Sequence, residues 1–180
     1  MESPELSRGL KDAQDRFVLE WGRMSSSWGI NRTMAQIHAL MLITGTPMSM
    51  DDIIDRLHIS RGNASMNLRD LVDWGLVQRF RHPGDRKDIY HCDGDILHMF
   101  ARVVRERKRR EIDPTVEAIR ECLGKIPAEE ESESADLARD RLGALLEIFG
   151  VIDRVYTQMF ESDASVRAAL EAYSEAKQKK

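Results

Sequence analysis

The sequence predicts a mainly α chain with a small β-hairpin, and three observations carry that prediction. Apolar residues recur at helical spacing over a long stretch near each end of the chain. Between these stretches lie two short helices joined by a brief turn, the spacing of a helix-turn-helix. A pair of strand candidates around a Pro-Gly turn follows the second short helix. Together they predict a winged helix-turn-helix with long N- and C-terminal dimerisation helices. The expected organisation is an N-terminal dimerisation helix over 1–30, a winged helix-turn-helix over 31–94, and a C-terminal helical region for dimerisation and effector binding over 95–180.

The first helix is expected from about Glu5 to Ser26, with Leu6, Leu10, Ala13, Phe17, Trp21 and Met24 as one continuous apolar stripe. Such a stripe must be covered, by this chain's own core or by a partner subunit. Asn31 is placed to cap a second helix carrying Met34, Ile37, Leu40 and Met41, and Gly45 to end it. Thr46-Pro47-Met48 reads as a connector. Ser49 opens a third helix, with Asp52 three residues on in the spacing of a capping box. Ser60 caps a fourth helix that ends near Trp74-Gly75, its inward face formed by Ala64, Leu68, Leu71 and Val72.

Two strand candidates, Leu76–Arg81 and Asp88–Cys92, flank His82-Pro83-Gly84-Asp85-Arg86-Lys87 and form a wing with a basic tip. A long helix is expected from Asp95 to about Gly124, with Pro114 placed to kink or divide it. The acidic stretch Pro127–Ser134 reads as an exposed linker. A last long helix, about Ala135 to Phe160, carries Leu142, Leu145, Leu146, Phe149, Ile152, Val155, Tyr156 and Met159, and a short tail helix from Ser165 to Ala176 follows.

Charge distribution indicates where a polyanion would sit. The 180 residues carry a net charge of −4, which by itself disfavours nucleic acid. Residues 60–110, however, hold 12 basic and 7 acidic side chains, against net −2 before them and net −7 after. A basic middle between acidic flanks attracts DNA there and repels it elsewhere. No apolar run approaches the roughly 20 residues of a membrane span, so no membrane association and a cytoplasmic location are expected.

With Ala64, Leu68 and Leu71 inward, Arg61, Asn63, Ser65, Met66, Asn67 and Arg69 flank the outward face of the fourth helix. Arginine and asparagine suit bidentate contacts with guanine and adenine edges in the major groove. Ser60 and Ser65 suit phosphate oxygens, helped by the helix N-terminus, and Gly62 permits close approach of the backbone. At the wing tip, Arg86 is placed for a narrow minor groove beside Lys87, with Asp85 orienting a neighbouring cation. The expected DNA-binding set is therefore Ser60, Arg61, Asn63, Ser65, Asn67, Arg69, Arg86 and Lys87. The basic run Arg102–Arg110 reads as a solvated helix face, with DNA flanks as its alternative partner.

Other chemistry is absent from the pattern. His38, His58, His82, His91 and His98 show no ligand spacing, and Cys92 and Cys122 read as reduced thiols. No nucleophile elbow, P-loop or dinucleotide-binding glycine pattern occurs, so no catalytic residue, metal or cofactor is expected.

Ile59–Leu71, then Trp74-Gly75-Leu76-Val77, then Pro83-Gly84-Asp85-Arg86-Lys87 resemble the MarR superfamily of winged-helix regulators, and its GbsR-type branch most closely. The resemblance is sharp over about Ala35–Tyr90 and weak over the C-terminal third. It implies a homodimer on double-stranded DNA, recognition helices in successive major grooves, wings in the flanking minor grooves, and repression tuned by a small ligand. For the GbsR-type branch the implied ligand is an osmoprotectant such as choline or glycine betaine. An aromatic cage for a quaternary ammonium would draw on Trp21, Trp28, Trp74 and Tyr90, which are otherwise ordinary core or interface aromatics. Lys87 stands where a second arginine is common, which keeps the charge but not the bidentate fork. The alternative reading is a winged helix that binds a protein partner in a larger assembly, without duplex DNA.

Overall fold

The computed structural model describes residues 7–85, 87–160, 164, 166–168 and 171. The chain divides into two compact units, Met1–Met99 and Phe100–Lys180.

In the first unit, helix α1 (Arg8–Ser27) begins at Ser7, whose Oγ accepts the Leu10 N–H at 3.3 Å. The expected start at Glu5 lies outside the described residues. The buried stripe of α1 is Gln14, Val18, Gly22 and Ser25, rotated by about one position from the apolar stripe expected from the sequence. Gly22 explains the rotation. A Cβ there would lie 2.5 Å from Gln36 Cγ, so any larger residue would have to displace the Gln36 side chain for α1 to come this close to the next helix. Phe17 and Trp21 pack against the same core from the side, while Leu10, Leu19, Met24 and Trp28 stay exposed.

Helix α2 (Arg32–Thr44) is the centre of the unit, with Met34, Ala35, Ile37, His38, Ala39, Leu40 and Met41 all buried. A helix apolar around most of its circumference must be surrounded. Asn31 Oδ1 accepts the Met34 N–H at 3.1 Å, and Gly45 closes the helix in the left-handed conformation (φ 61°).

Helix α3 (Met50–Leu57) opens on the capping box: the Asp52 N–H donates to Ser49 Oγ, and the Ser49 N–H donates to Asp52 Oδ2 at 2.8 Å. After the turn at His58, helix α4 (Arg61–Asp73) starts at Ser60, whose Oγ accepts the Asn63 N–H at 3.3 Å. Ala64, Leu68 and Leu71 are buried as expected, and Asn67 joins them.

The wing is β2 (Val77–Phe80) paired antiparallel with β3 (Ile89–Cys92), Arg79 opposite Tyr90. The stretch read as a connector ends in a third strand, β1 (Met48–Ser49), paired with β3 as Met48 to Tyr90 and Ser49 to Ile89, giving the order β1-β3-β2. Two residues carry no alternation, so this strand left no period to detect.

In the second unit, α5 (Ile96–Arg107), which begins in the first, leads into a π-helical turn at Lys108–Ile112 and then α6 (Asp113–Gly124). Pro114 sits in the first turn of α6, where its missing N–H costs little. The widened turn absorbs the misfit, and the Asp113 N–H reaches back five residues to the Lys108 carbonyl. Helix α7 (Glu133–Phe160) follows and packs on α6. Most of the expected tail helix Ser165–Ala176 lies outside the described residues. Among the described residues of this unit, only Ala101, Ala135 and Val166 are buried. The large apolar side chains of α6 and α7 are at best half-buried.

Candidate nucleic-acid interface

Of the expected DNA-binding residues, the surface joining α4 to the wing holds Arg61, Ser65, Arg69 and Lys87. Arg61, in the first turn of α4, is exposed, as are Met66 and Arg69 further along. Ser65 is half-buried beside them. Ser65, Arg69 and Asp73 on α4 face Arg79 of β2 and Tyr90 of β3 across a cleft of about 270 Å³. Lys87 is exposed in the loop that joins β2 to β3, and Arg86 lies outside the described residues.

One expected contact is corrected. Asn67 is only 1% exposed, so its side chain faces the core and not a groove. The reason is geometric: position 67 lies three residues after Ala64 and four before Leu71, inside the buried stripe. Asn67 Nδ2 donates to the Asn63 carbonyl at 2.8 Å and to Asn63 Oδ1 at 2.6 Å. Asn63 is itself half-buried, and its Nδ2 donates to Thr33 Oγ1 on α2 at 3.3 Å. The two asparagines thus form a polar tie between α4 and the N-terminus of α2. The Ser60 hydroxyl, for its part, is engaged as the cap of α4.

Other side chains on this surface were not singled out from the sequence. Arg79 on β2 and Arg81 just beyond its end are exposed and both face Asp88, which accepts from Arg81 Nε at 2.9 Å and lies 3.9 Å from Arg79 Nη1. Their spacing of two residues on a strand was the available signal, since i and i+2 share one face. Asp51, in the first turn of α3, pairs with Arg61 and also accepts Lys87 Nζ at 3.0 Å. Those two hydrogen bonds, Lys87 first and then Arg61, hold the Asp51 carboxyl below its ordinary range. Nothing in the local sequence links positions 51, 61 and 87; the fold alone brings them together.

The basic run after residue 100 is committed elsewhere. Arg107 pairs with Glu111 at 2.9 Å, and Arg109 and Arg110 both pair with Glu106, holding the Glu106 carboxyl low. Lys108 bridges Asp113 at 2.6 Å and Asp153 at 2.8 Å, tying the π turn to α7. Arg105 donates to the Phe160 carbonyl at 2.9 Å. These cations serve the helical unit's own surface, as charge runs on helices usually do.

Of the aromatic residues considered for a cage, Trp21 stacks with Phe17 at 5.5 Å over the α1–α2 core. Trp28 is exposed at the end of α1, and Tyr90 is buried on β3.

Residues 28–88 match the model of the MarR family. The HTH-type transcriptional repressor GbsR of Bacillus subtilis (strain 168) is 24% identical over 121 residues, covering 67% of this chain and 66% of that protein. The HTH-type transcriptional repressor OpcR of the same organism is 18% identical over 91 residues, covering 51% of this chain and 49% of that protein. The chain therefore spans about half to two thirds of the length of these curated relatives. A solved structure described as a transcriptional regulator shares the fold, with a TM-score of 0.54 at 20% identity over 81% of this chain and 99% of that one. Over residues 28–88, the helix-turn-helix and the wing thus follow one another in the order and with the sequence pattern of the MarR family.

Proposed function

We propose that this chain is a homodimeric repressor that reads a specific duplex DNA sequence and is tuned by a small ligand. The observation that carries this reading is the surface where Arg61 and Arg69 on α4 stand exposed next to Lys87 of the wing and Arg79 of β2. A helix of α4's width enters the major groove, and exposed guanidiniums at its start suit guanine edges and phosphates. Ser65, Arg69 and Arg61 are the groove-facing set; Ser60, Asn63 and Asn67 hold the helix in place. Repression is supported by its being the role of both relatives, GbsR and OpcR, as their names state.

The homodimer is supported by apolar surface that stays open among the described residues. Leu145, Ile148, Val151, Val155 and Met159 are exposed at spacings of three and four along α7, which puts them on one face. Exposed apolar stripes of this length mark association surfaces. The ligand, by resemblance an osmoprotectant such as choline or glycine betaine, remains part of the proposal. Between α6 and α7 a groove of about 600 Å³, with Ile112, Val116, Leu146 and Phe149 beside Lys108 and Asp153, is large enough for one. A regulator acting on chromosomal DNA works in the cytoplasm, the location expected from the sequence.

The test is selection of duplexes from a random pool, followed by binding titrations of the full chain at several salt concentrations. A dimer neutralising six to ten phosphates loses roughly 10³–10⁵ in affinity between 50 and 200 mM salt. The selected site is expected to contain two half-sites about one helical turn, 34–36 Å, apart. Failure to bind any duplex at low salt would overturn the reading in favour of a protein-interaction module. Ligand tuning is checked by adding choline or glycine betaine to the same titration; unchanged affinity with both removes them as effectors.

A further inference from the structure

We propose that Asp51 is a positioning residue for DNA reading, its single carboxylate setting the recognition helix and the wing in one fixed relation before DNA arrives. This rests on the DNA-reading function proposed above. Three elements meet at this side chain: α3, on which Asp51 sits, α4 through Arg61, and the wing through Lys87. They surround a cleft of about 180 Å³ that Ser49 and Asp88 also line. The two helices are already fixed to each other by the His58–Ser60 turn and by the buried Ile53, Ala64 and Leu68. The wing has less to hold it. Lys87 lies two residues before β3, beyond the last ladder pair, so backbone pairing does not fix its side chain.

The charges make this arrangement depend on one group. Arg61 and Lys87 are both cations, and both reach the same carboxylate through different oxygens, Oδ1 and Oδ2. Without that carboxylate two like charges face each other across the cleft and separate. The other carboxylate lining the cleft, Asp88, is engaged by Arg81. Two cations held at a set spacing match two points on a polyanion, and two that wander do not. The effect of Asp51 is therefore expected in discrimination between sequences, since base contacts specify while phosphate contacts only position.

The test uses the full-length chain and its selected duplex, with a scrambled duplex as reference. Asp51→Asn is expected to lower the ratio of selected to scrambled affinity roughly tenfold, about the discrimination carried by one base pair. Asp51→Glu keeps the charge and is expected to recover most of that ratio. Lys87→Gln on the Asp51→Asn background should lower the ratio by less than the product of the two single effects, because the coupling between them is already broken. Equal tightening on both duplexes with an unchanged ratio overturns the proposal and makes Asp51 only a charge that competes with phosphate. An unchanged ratio with unchanged affinities overturns it as well. Should the wild-type chain select no duplex, the DNA-reading function falls and this role falls with it. A wild-type chain that discriminates while Asp51→Asn discriminates equally well removes the Asp51 role alone. Thermal midpoints and circular dichroism of each variant separate misfolding from a change in reading, and the Asp51→Glu ratio decides if Asp51→Asn unfolds.

Discussion

His38 shows how one buried side chain couples this fold to pH. It lies in α2, 3% exposed, with Nε2 3.4 Å from the Cys92 Sγ on β3. Burial lowers its pKa from 6.5 to about 4 and pushes the Cys92 thiol up to about 11, so both groups are neutral near pH 7. Between those two histidine values the unfolded chain takes up a proton that the folded chain refuses. Stability from this site is therefore complete above about pH 6.5 and is lost progressively as the pH falls toward 4, by about 3 kcal/mol in all. Urea unfolding at a series of pH values should show this slope, and His38→Gln should flatten it; parallel profiles would contradict the assignment. On α4, neighbouring positions separate two jobs. Asn67→Ala should cost about 1–2 kcal/mol of stability, because it removes both hydrogen bonds to the half-buried Asn63 and leaves a gap in the packed face of α4. Arg69→Ala should leave the unfolding midpoint in place and weaken duplex binding by about 1–3 kcal/mol. Denaturation and shift assays on the same two variants check the separation, and a reversal of the pattern would remove Arg69 from the interface.

At the scale of elements, the approach of α1 to α2 depends on Gly22. Gly22→Leu should destabilise the chain by about 1–3 kcal/mol although leucine is the better helix former. Gly9, with open space around its Cβ position, should tolerate alanine, and the two thermal midpoints compared measure the close approach. The same helix marks a limit of what the sequence makes legible. Helical spacing disclosed that α1 is amphipathic, but the apolar stripe and the packed stripe differ by a rotation set by one glycine and by Gln36 on another helix. The capping box at Ser49, the caps at Asn31 and Ser60, and the inward set Ala64, Leu68 and Leu71 were legible because each is decided within a few residues. Asn67 was not, since its polarity suggested solvent while its position placed it in the core. Strand β1 was hidden because its existence depends on β3, forty residues away. The Asp51 cluster was hidden for the same reason, its members being set side by side only by tertiary contacts.

The whole chain has an uneven distribution of core. The first unit buries Ile37, Leu40, Met41, Ile53, Leu68 and Leu71 almost completely, while the second leaves Leu145, Ile148, Val151 and Val155 in the open. Sedimentation at micromolar concentration should give twice the 20.6 kDa chain mass. Ile148→Glu combined with Val155→Glu should return it toward a single chain, because an interface core excludes unpaired charge. A monomeric wild type would contradict the dimer. The strand order bears on a different hazard. With β3 in the middle, β2 forms an outer margin of the sheet and presents backbone donors and acceptors that another molecule's strand is able to pair with. The strand is only four residues long, and its exposed guanidinium at Arg79, with Arg81 just beyond its end, makes it a poor template for a foreign strand. The charges proposed to meet DNA at this margin thus also protect the free protein from adding strand to strand. Variants that replace Arg79 and Arg81 with β-branched neutral residues would lose solubility in concentrated, DNA-free solution as well as affinity for the duplex.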